Sequence, residues 1–118
     1  MHIEVYATHN EVSEANVKGK TVIIIDVLRA TSVIITALSN GAKKVRTTTS
    51  QGEALEQKAK DPNLLIGGER HAEKIKGFDF GNSPLEYTQD KVLNKSIILS
   101  TTNGTQAVLK AQGSSICI

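Results

Sequence analysis

The sequence contains very few aromatic and cysteine residues. Phe, Trp and Tyr make up 3% of its 118 residues, and Cys117 is the single cysteine. One cysteine cannot form a disulfide within the chain, which is typical of reducing compartments and predicts a cytoplasmic protein. The net charge is only +2, so neither a basic surface nor stacking rings indicate a nucleic-acid partner.

Long hydrophobic runs are absent as well. No apolar segment approaches the roughly 20 residues that a membrane-spanning helix requires, so no membrane partner is predicted. The first ten residues lack the basic start and apolar middle of a secretory signal. Hydrophobic residues still make up 39% of the chain, which is enough for one globular domain with its own core.

Continuous apolar or β-branched runs predict strands that are covered on both faces, as in a parallel sheet. Helical patterns separate these runs. A capping box at Ser50 begins a helix to about Lys60, and a second helix, Thr105–Gln112, ends at Gly113. The alternation of strands and helices predicts an α/β fold, a mostly parallel sheet flanked by helices in a Rossmann-like lobe. The predicted strands are Ile3–Ala7, Val22–Asp26, Lys44–Thr49, Leu64–Ile66, Ser96–Thr101 and Ser115–Ile118.

The segment Thr31–Asn40 is ambiguous, because its β-branched residues favour a strand. Its apolar positions nevertheless fall at helical spacing, and Asn40-Gly41 is a good helix C-terminus. We therefore predict a helix here.

Three predicted helix starts place small polar side chains beside unpaired backbone N–H groups. They are Thr31-Ser32, Asn82-Ser83 and the turn Thr102-Asn103-Gly104-Thr105. Helix N-termini bind anions, although ordinary capping explains the same residue types. Two of these starts follow strands directly, which in a parallel sheet would place them at the carboxyl edge, where ligands bind.

Charged residues lie near these starts. Asp26 ends a predicted buried strand and has the oxygen ligands that Mg²⁺ prefers, but an N-cap or an ion pair with Arg29 accounts for it equally well. Glu69 and Arg70 follow Gly67-Gly68, a pair that predicts a tight turn. They offer a metal ligand and a bidentate phosphate clamp, or alternatively a surface ion pair.

Asp79 lies between Phe78 and Phe80, the two phenylalanines of the chain. A carboxylate in this setting is a candidate metal ligand or general base. Alternatively, the phenylalanines anchor the loop and Asp79 faces water. We interpret His71 as a solvated loop residue.

The motifs DVLRATS, ALSNGA, GGER, GFDFGNSP and TTNGT follow one another between about Thr21 and Thr105. In this order and spacing they resemble the 2-phosphosulfolactate phosphatase family, the enzymes called ComB. The resemblance implies a Mg²⁺-dependent hydrolysis of 2-phospho-3-sulfolactate to 3-sulfolactate and phosphate, a step of coenzyme M biosynthesis. Because family members are longer, we expect this chain to be an N-terminal lobe without the C-terminal lobe that completes the site.

We interpret the candidate residues in the light of this reaction. Mg²⁺ would be bound by some of Asp26, Glu69 and Asp79, and Asp26, Arg29 and Asp79 would take part in catalysis. The nucleophile is either a metal-bound water or Asp26, and the sequence does not choose between them. A non-catalytic module that binds a phosphorylated metabolite is the alternative, and homo-oligomerisation is left open. The residues expected to hold the phosphate and sulfonate of the small substrate are Arg29, Thr31, Ser32, Arg70, Asn82, Ser83, Thr102, Asn103, Gly104 and Thr105.

Overall fold

The fold is built around a parallel β-sheet, seen in a computed structural model that describes residues 1–118. Three neighbouring parallel strands, in the order β2 (Lys44–Thr47), β5 (Ser96–Ser100) and β3 (Leu65–Arg70), form this main sheet, and β4 (Glu73–Lys74) adds antiparallel to β3 at its edge. The predicted α/β fold with a mostly parallel sheet is thereby confirmed. The strands are β1 (Thr21–Val22), β2 (Lys44–Thr47), β3 (Leu65–Arg70), β4 (Glu73–Lys74), β5 (Ser96–Ser100) and β6 (Ile116–Cys117), and the α-helices are α1 (Glu14–Val17), α2 (Ala30–Ser39), α3 (Gln51–Lys60), α4 (Gln89–Val92) and α5 (Gly104–Lys110).

A second, smaller sheet pairs β1 with β6 in parallel. The strand predicted at Val22–Asp26 is shorter in the structure, where β1 ends at Val22. The last hydrogen bond between the two segments is that from the Ile24 N–H to the Ile118 carbonyl, at 2.8 Å. The predicted strand Ile3–Ala7 is wrong, since no strand pairs with that segment. Apolar composition alone does not form a strand when no neighbouring strand can accept its backbone hydrogen bonds.

The core lies on both faces of the main sheet, as alternating side chains of β5 show. Ile97 and Leu99 pack with buried residues of α2, whereas Ile98 packs with Ala54 of α3 on the opposite face. Burial on both faces explains why the interior of β5 is a continuous apolar run. The result is a three-layer arrangement in which α2 and α3 sandwich the sheet.

The two longest helices begin and end close to the predicted residues. Helix α2 confirms the helical interpretation of Thr31–Asn40, and Gly41 follows it with φ of 90°. Helix α3 begins after Ser50, whose Oγ accepts the Glu53 N–H at 3.1 Å. None of the helices has the length and apolar composition that crossing a bilayer requires.

Gly67 and Gly68 lie within β3 and do not form the predicted tight turn. Gly68 has φ of 146°, and a Cβ there would lie 1.8 Å from the Ser100 carbonyl oxygen of β5. The glycine therefore permits a close approach between neighbouring strands. The turn follows β3 instead, at His71 and Ala72, whose φ angles are 54° and 67°.

Candidate functional site

A cleft of about 780 Å³ lies at the carboxyl edge of the main sheet. The loop after β1, the turn after β3 and the turn after β5 all contribute to it, as expected for parallel strands. Seven of the predicted site residues line this cleft: Asp26, Arg29, Glu69, Asn82, Thr102, Asn103 and Gly104. The other lining residues are Leu28, His71, Ala72 and Thr101.

The GFDFGNSP segment brings Asn82 to the cleft. Phe80 forms an isolated parallel bridge with Gly67 of β3, and its carbonyl accepts the Gly68 N–H at 3.1 Å. The chain therefore runs alongside β3 towards the same edge of the sheet. Asn82 is buried there, and its Oδ1 has no hydrogen-bond partner in the protein.

The cleft contains two oppositely charged side chains that have no partner within the protein. No ion pair or side-chain hydrogen bond engages the Asp26 carboxylate or the Arg29 guanidinium, although both residues are partly buried. Asp26 and Arg29 do not form the ion pair that the sequence left open as an alternative. Both side chains thus retain their capacity to bind a ligand.

Thr31 and Ser32 hold the loop that carries these charges. The Thr31 Oγ1 donates to the Asp26 carbonyl at 2.7 Å and accepts the Asp26 N–H at 3.1 Å. The Ser32 Oγ donates to the Val27 carbonyl at 2.7 Å. Neither residue lines the cleft, so the structure assigns their hydroxyls to the shape of the loop.

Glu69 joins two turns of the cleft. Its Oε1 accepts the Thr102 N–H at 2.6 Å, and its Oε2 accepts the Thr102 hydroxyl and the Ala72 N–H, each at 3.0 Å. Burial by itself raises the pKa of this carboxyl, but these hydrogen bonds and the charge of Arg70 outweigh burial and lower the pKa overall. Both oxygens are therefore already engaged by protein donors.

Arg70 binds strand ends and does not line the cleft. Its Nη1 donates to the Glu69 carbonyl at 2.7 Å, and its Nη2 donates to the Thr49 carbonyl at 3.0 Å and the Ser100 Oγ at 2.9 Å. The guanidinium thus connects the ends of β2, β3 and β5. The phosphate clamp predicted for Arg70 has no counterpart in this arrangement.

Asp79 lies outside the cleft. Its carboxylate accepts hydrogen bonds from Lys58 Nζ at 3.0 Å and from the Ile66 N–H at 2.8 Å. Phe78 and Phe80 are buried on opposite faces of the sheet, which agrees with their interpretation as anchors. Asp79 is therefore not brought together with the other two predicted metal ligands, and no group of three or more His, Cys, Asp or Glu residues is placed to share a metal ion.

Ser83 and Thr105 do not line the cleft either. Ser83 precedes a short 3₁₀ turn, Pro84–Glu86, and its side chain makes no capping hydrogen bond. The Thr105 Oγ1 is fully buried and donates to the Thr101 carbonyl at 2.8 Å. The Thr105 hydroxyl thus has a local structural role, whereas the Ser83 hydroxyl makes no hydrogen bond within the protein.

Two lining residues, His71 and Thr101, were missed by the sequence analysis. The interpretation of His71 as a solvated loop residue agrees with its exposed position in a turn, but nothing in its sequence neighbourhood shows that this turn lies at the cleft. Thr101 follows β5 directly and accepts the Thr105 N–H through its Oγ1 at 3.1 Å. Thr101 is the first residue of the TTNGT motif, and this position at the strand end was a usable signal.

The fold and this cleft define an α/β protein with a polar cleft at the carboxyl ends of its strands. A family model described as 2-phosphosulpholactate phosphatase matches residues 6–118, and the chain belongs to that family.

Relatives with the name "Probable 2-phosphosulfolactate phosphatase" agree with this assignment. The protein from Clostridium perfringens is 51% identical over 112 residues, which are 92% of this chain and 45% of the relative. The protein from Clostridium acetobutylicum is 49% identical over 109 residues, 92% of this chain and 46% of the relative. That from Caldanaerobacter subterraneus is 48% identical over 112 residues, 93% of this chain and 46% of the relative. The chain spans about half the length of the curated relatives it matches.

Proposed function

We propose that the protein containing this chain is a Mg²⁺-dependent phosphatase that hydrolyses 2-phospho-3-sulfolactate, or a similar small phosphomonoester, to 3-sulfolactate and phosphate. One observation carries the proposal: the Asp26 carboxylate and the Arg29 guanidinium line the same cleft, and neither has a partner in the protein. The family and the names of the relatives supply the substrate. A single cysteine supports a cytoplasmic setting, and coenzyme M biosynthesis is the pathway we propose.

The cleft offers oxygen donors that suit Mg²⁺, which prefers oxygen ligands and keeps several waters. Asp26 supplies an unengaged carboxylate, and Asn82 supplies a buried amide oxygen without a hydrogen-bond partner. Glu69 fits less well, because both its oxygens accept hydrogen bonds already. We therefore propose Asp26, together with Asn82, to hold the ion. A bound Mg²⁺ would neutralise negative charge on the phosphoryl group and the leaving oxygen.

The chain's own residues orient the substrate in this proposal. The Arg29 guanidinium binds phosphoryl oxygens, for which its planar fork of N–H donors is suited. The turn of Thr102, Asn103 and Gly104 contributes further polar contacts, because Glu69 holds it at the edge of the cleft. The attacking group is either a water molecule or Asp26 itself. Trapping with borohydride separates them, since an acyl-phosphate on Asp26 would be reduced and a water mechanism would leave no modified residue.

The experiment that tests the function is phosphate release by the full-length protein, the polypeptide that contains this chain. We expect turnover of 2-phosphosulfolactate with Mg²⁺ and a strong loss of turnover with EDTA. A panel of phosphorylated hydroxy acids without the sulfonate measures how much the second anionic group contributes. Binding of these compounds without any phosphate release would instead favour the alternative, a non-catalytic module for phosphorylated metabolites.

A further inference from the structure

His71 lies in the cleft on a turn whose backbone conformation is unusual. His71 and Ala72 have φ angles of 54° and 67°, in the left-handed region that side chains with a Cβ rarely adopt. Such residues persist where the surrounding structure holds them, and they concentrate at functional sites. The turn therefore places an imidazole at the cleft at a conformational cost.

Partly buried hydrogen bonds hold this turn in place. The Ala72 N–H donates to the Glu69 Oε2 at 3.0 Å, and the same carboxylate accepts the Thr102 N–H and hydroxyl. The His71 turn and the Thr102 turn are thus fixed to each other through one buried carboxylate. Any ligand that contacts the Thr102 turn lies in the cleft that His71 also lines.

The His71 side chain has no other task that the structure reveals. It is exposed, it makes no hydrogen bond or ion pair within the protein, and it is not part of either core cluster. It is also the sole imidazole that lines the cleft, where Arg29 is the sole guanidinium. An N–H donor at this position complements the same anion that Arg29 is proposed to bind.

We propose that the His71 imidazole donates a hydrogen bond to the phosphoryl group of the bound ligand, and that the left-handed turn exists to present it. The proposal rests on the proposed function for the identity of the ligand. It adds a second side-chain contact to the anion. This contact comes from the turn after β3, whereas Arg29 lies in the loop after β1.

The test compares three variants of the full-length protein. His71→Gly removes the imidazole and relieves the left-handed backbone, so its melting temperature should stay equal or rise. His71→Asn also removes the imidazole but keeps a residue that tolerates this conformation. Asn94→Gly is the matched control, because Asn94 has φ of 59° and does not line the cleft. The probe is inorganic phosphate, titrated by calorimetry, with KM and kcat measured in parallel.

We expect both His71 variants to bind phosphate about 10- to 150-fold more weakly, the loss typical of one hydrogen bond to a charged group. Asn94→Gly should bind as the wild type does. Wild-type affinity in His71→Gly would overturn the proposal, because glycine supplies no side-chain donor, whereas the shorter Asn amide does supply one, so that His71→Asn reports how far the donor must reach. Absence of saturable phosphate binding by the wild type would overturn it too. Failure of the proposed function is distinguishable, since it appears as absence of phosphate release from any ester while phosphate binding still depends on His71.

Discussion

Glu69 and Thr102 connect two turns of the cleft through one buried carboxylate. The Thr102 N–H donates to Oε1 at 2.6 Å and its hydroxyl donates to Oε2 at 3.0 Å, while the Ala72 N–H donates to Oε2 as well. A carboxylate that accepts three hydrogen bonds is held in one orientation. The distance between the turn after β3 and the turn after β5, and hence the width of the cleft, therefore depends on Glu69.

Glu69→Gln should destabilise the protein in a pH-dependent way. The amide turns an NH₂ group towards a backbone donor, so we expect the free energy of unfolding at pH 7 to fall by about 1.5–3 kcal/mol. The folded state lowers the pKa of Glu69, so its stabilising contribution is present above the ordinary carboxyl pKa of about 4.3 and disappears as pH falls through the folded value. Urea unfolding at several pH values should show the gap to wild type closing in acid.

The matched control is Glu56→Gln. Glu56 forms an exposed i,i+4 ion pair with Lys60 on α3, and exposed pairs contribute little. It should leave stability nearly unchanged at every pH. A gap for Glu69→Gln that is equally large at neutral and acidic pH would contradict the charge-based explanation.

Arg29 and Arg70 should have different roles, Arg29 in ligand binding and Arg70 in the stability of the fold. Arg29→Ala removes an unpaired guanidinium from the cleft, so phosphate binding should weaken about 10- to 150-fold with little change in melting temperature. Arg70→Ala leaves the Glu69 and Thr49 carbonyls without their donor, so the melting temperature should fall. Calorimetric titration and thermal unfolding of both variants would test this. Equal loss of phosphate affinity without loss of stability in Arg70→Ala would contradict the assignment.

The centre of the main sheet was predictable because β5 is buried on both faces. The interior of the Ser96 strand is a continuous apolar run, whereas the Lys44 strand alternates in the sequence KVRT, and the capping box at Ser50 indicates the start of α3 correctly. The Ile3–Ala7 strand was not predictable in the same way. Its apolar residues resemble those of a strand, but pairing depends on a neighbouring strand, and the local sequence contains no information on that neighbour.

The sequence predicted the position of the candidate site in the fold more accurately than it predicted the contacts of individual side chains. Residue types at strand ends correctly indicated that polar side chains would meet at the carboxyl edge of the sheet, where Asp26, Arg29 and Asn82 line one cleft. The hydrogen-bond partners of individual side chains are residues that are distant in the sequence and close in the fold. Asp79 is engaged by Lys58, 21 residues away, and Arg70 by Ser100, 30 residues away. Neither pairing leaves a local pattern in the sequence.

Asp26→Asn should weaken binding of Mg²⁺. The substitution keeps the shape of the side chain but removes the charge that a divalent cation requires, so we expect Mg²⁺ affinity to fall at least about tenfold and Mg²⁺-dependent turnover to fall with it. Calorimetric titration of Mg²⁺ without substrate reports the affinity independently of catalysis. Asp90→Asn, an exposed carboxylate of α4 outside the cleft, is the control. Near-wild-type turnover and Mg²⁺ affinity in Asp26→Asn would remove this residue from the metal site.

The 118-residue chain produced alone should fold but hydrolyse phosphoesters poorly. One face of the β1–β6 sheet is bare: Ile23, Ile25, Ile116 and Ile118 are between 55% and 81% exposed. Parallel sheets are normally covered on both faces, and the relatives are about twice as long as the matched region. We therefore expect the isolated chain to bind the dye ANS, whereas the full-length protein binds much less. Robust Mg²⁺-dependent turnover by the isolated chain would show that these 118 residues are sufficient.

Gly104 allows α5 to approach both α2 and the Asp26 carboxylate. Its backbone is not in the left-handed region, so space and not φ requires the glycine. A Cβ at this position would lie 2.2 Å from the Ala30 Cβ and 2.7 Å from the Asp26 Oδ2. Gly104→Ala should thus have two separate effects, one on helix packing and one on the cleft.

A double variant separates these effects. Gly104→Ala alone should lower stability by about 1–3 kcal/mol through overpacking, and should weaken phosphate and Mg²⁺ binding by displacing Asp26. Adding Ala30→Gly removes the contact between the two Cβ atoms, so stability should recover apart from the cost of about 1 kcal/mol for glycine in a helix, which Ala30→Gly alone measures. The new methyl group still meets the Asp26 carboxylate, so ligand binding should stay weak in the double variant. If binding recovers together with stability, the close approach of Gly104 serves helix packing alone and leaves the position of Asp26 unaffected.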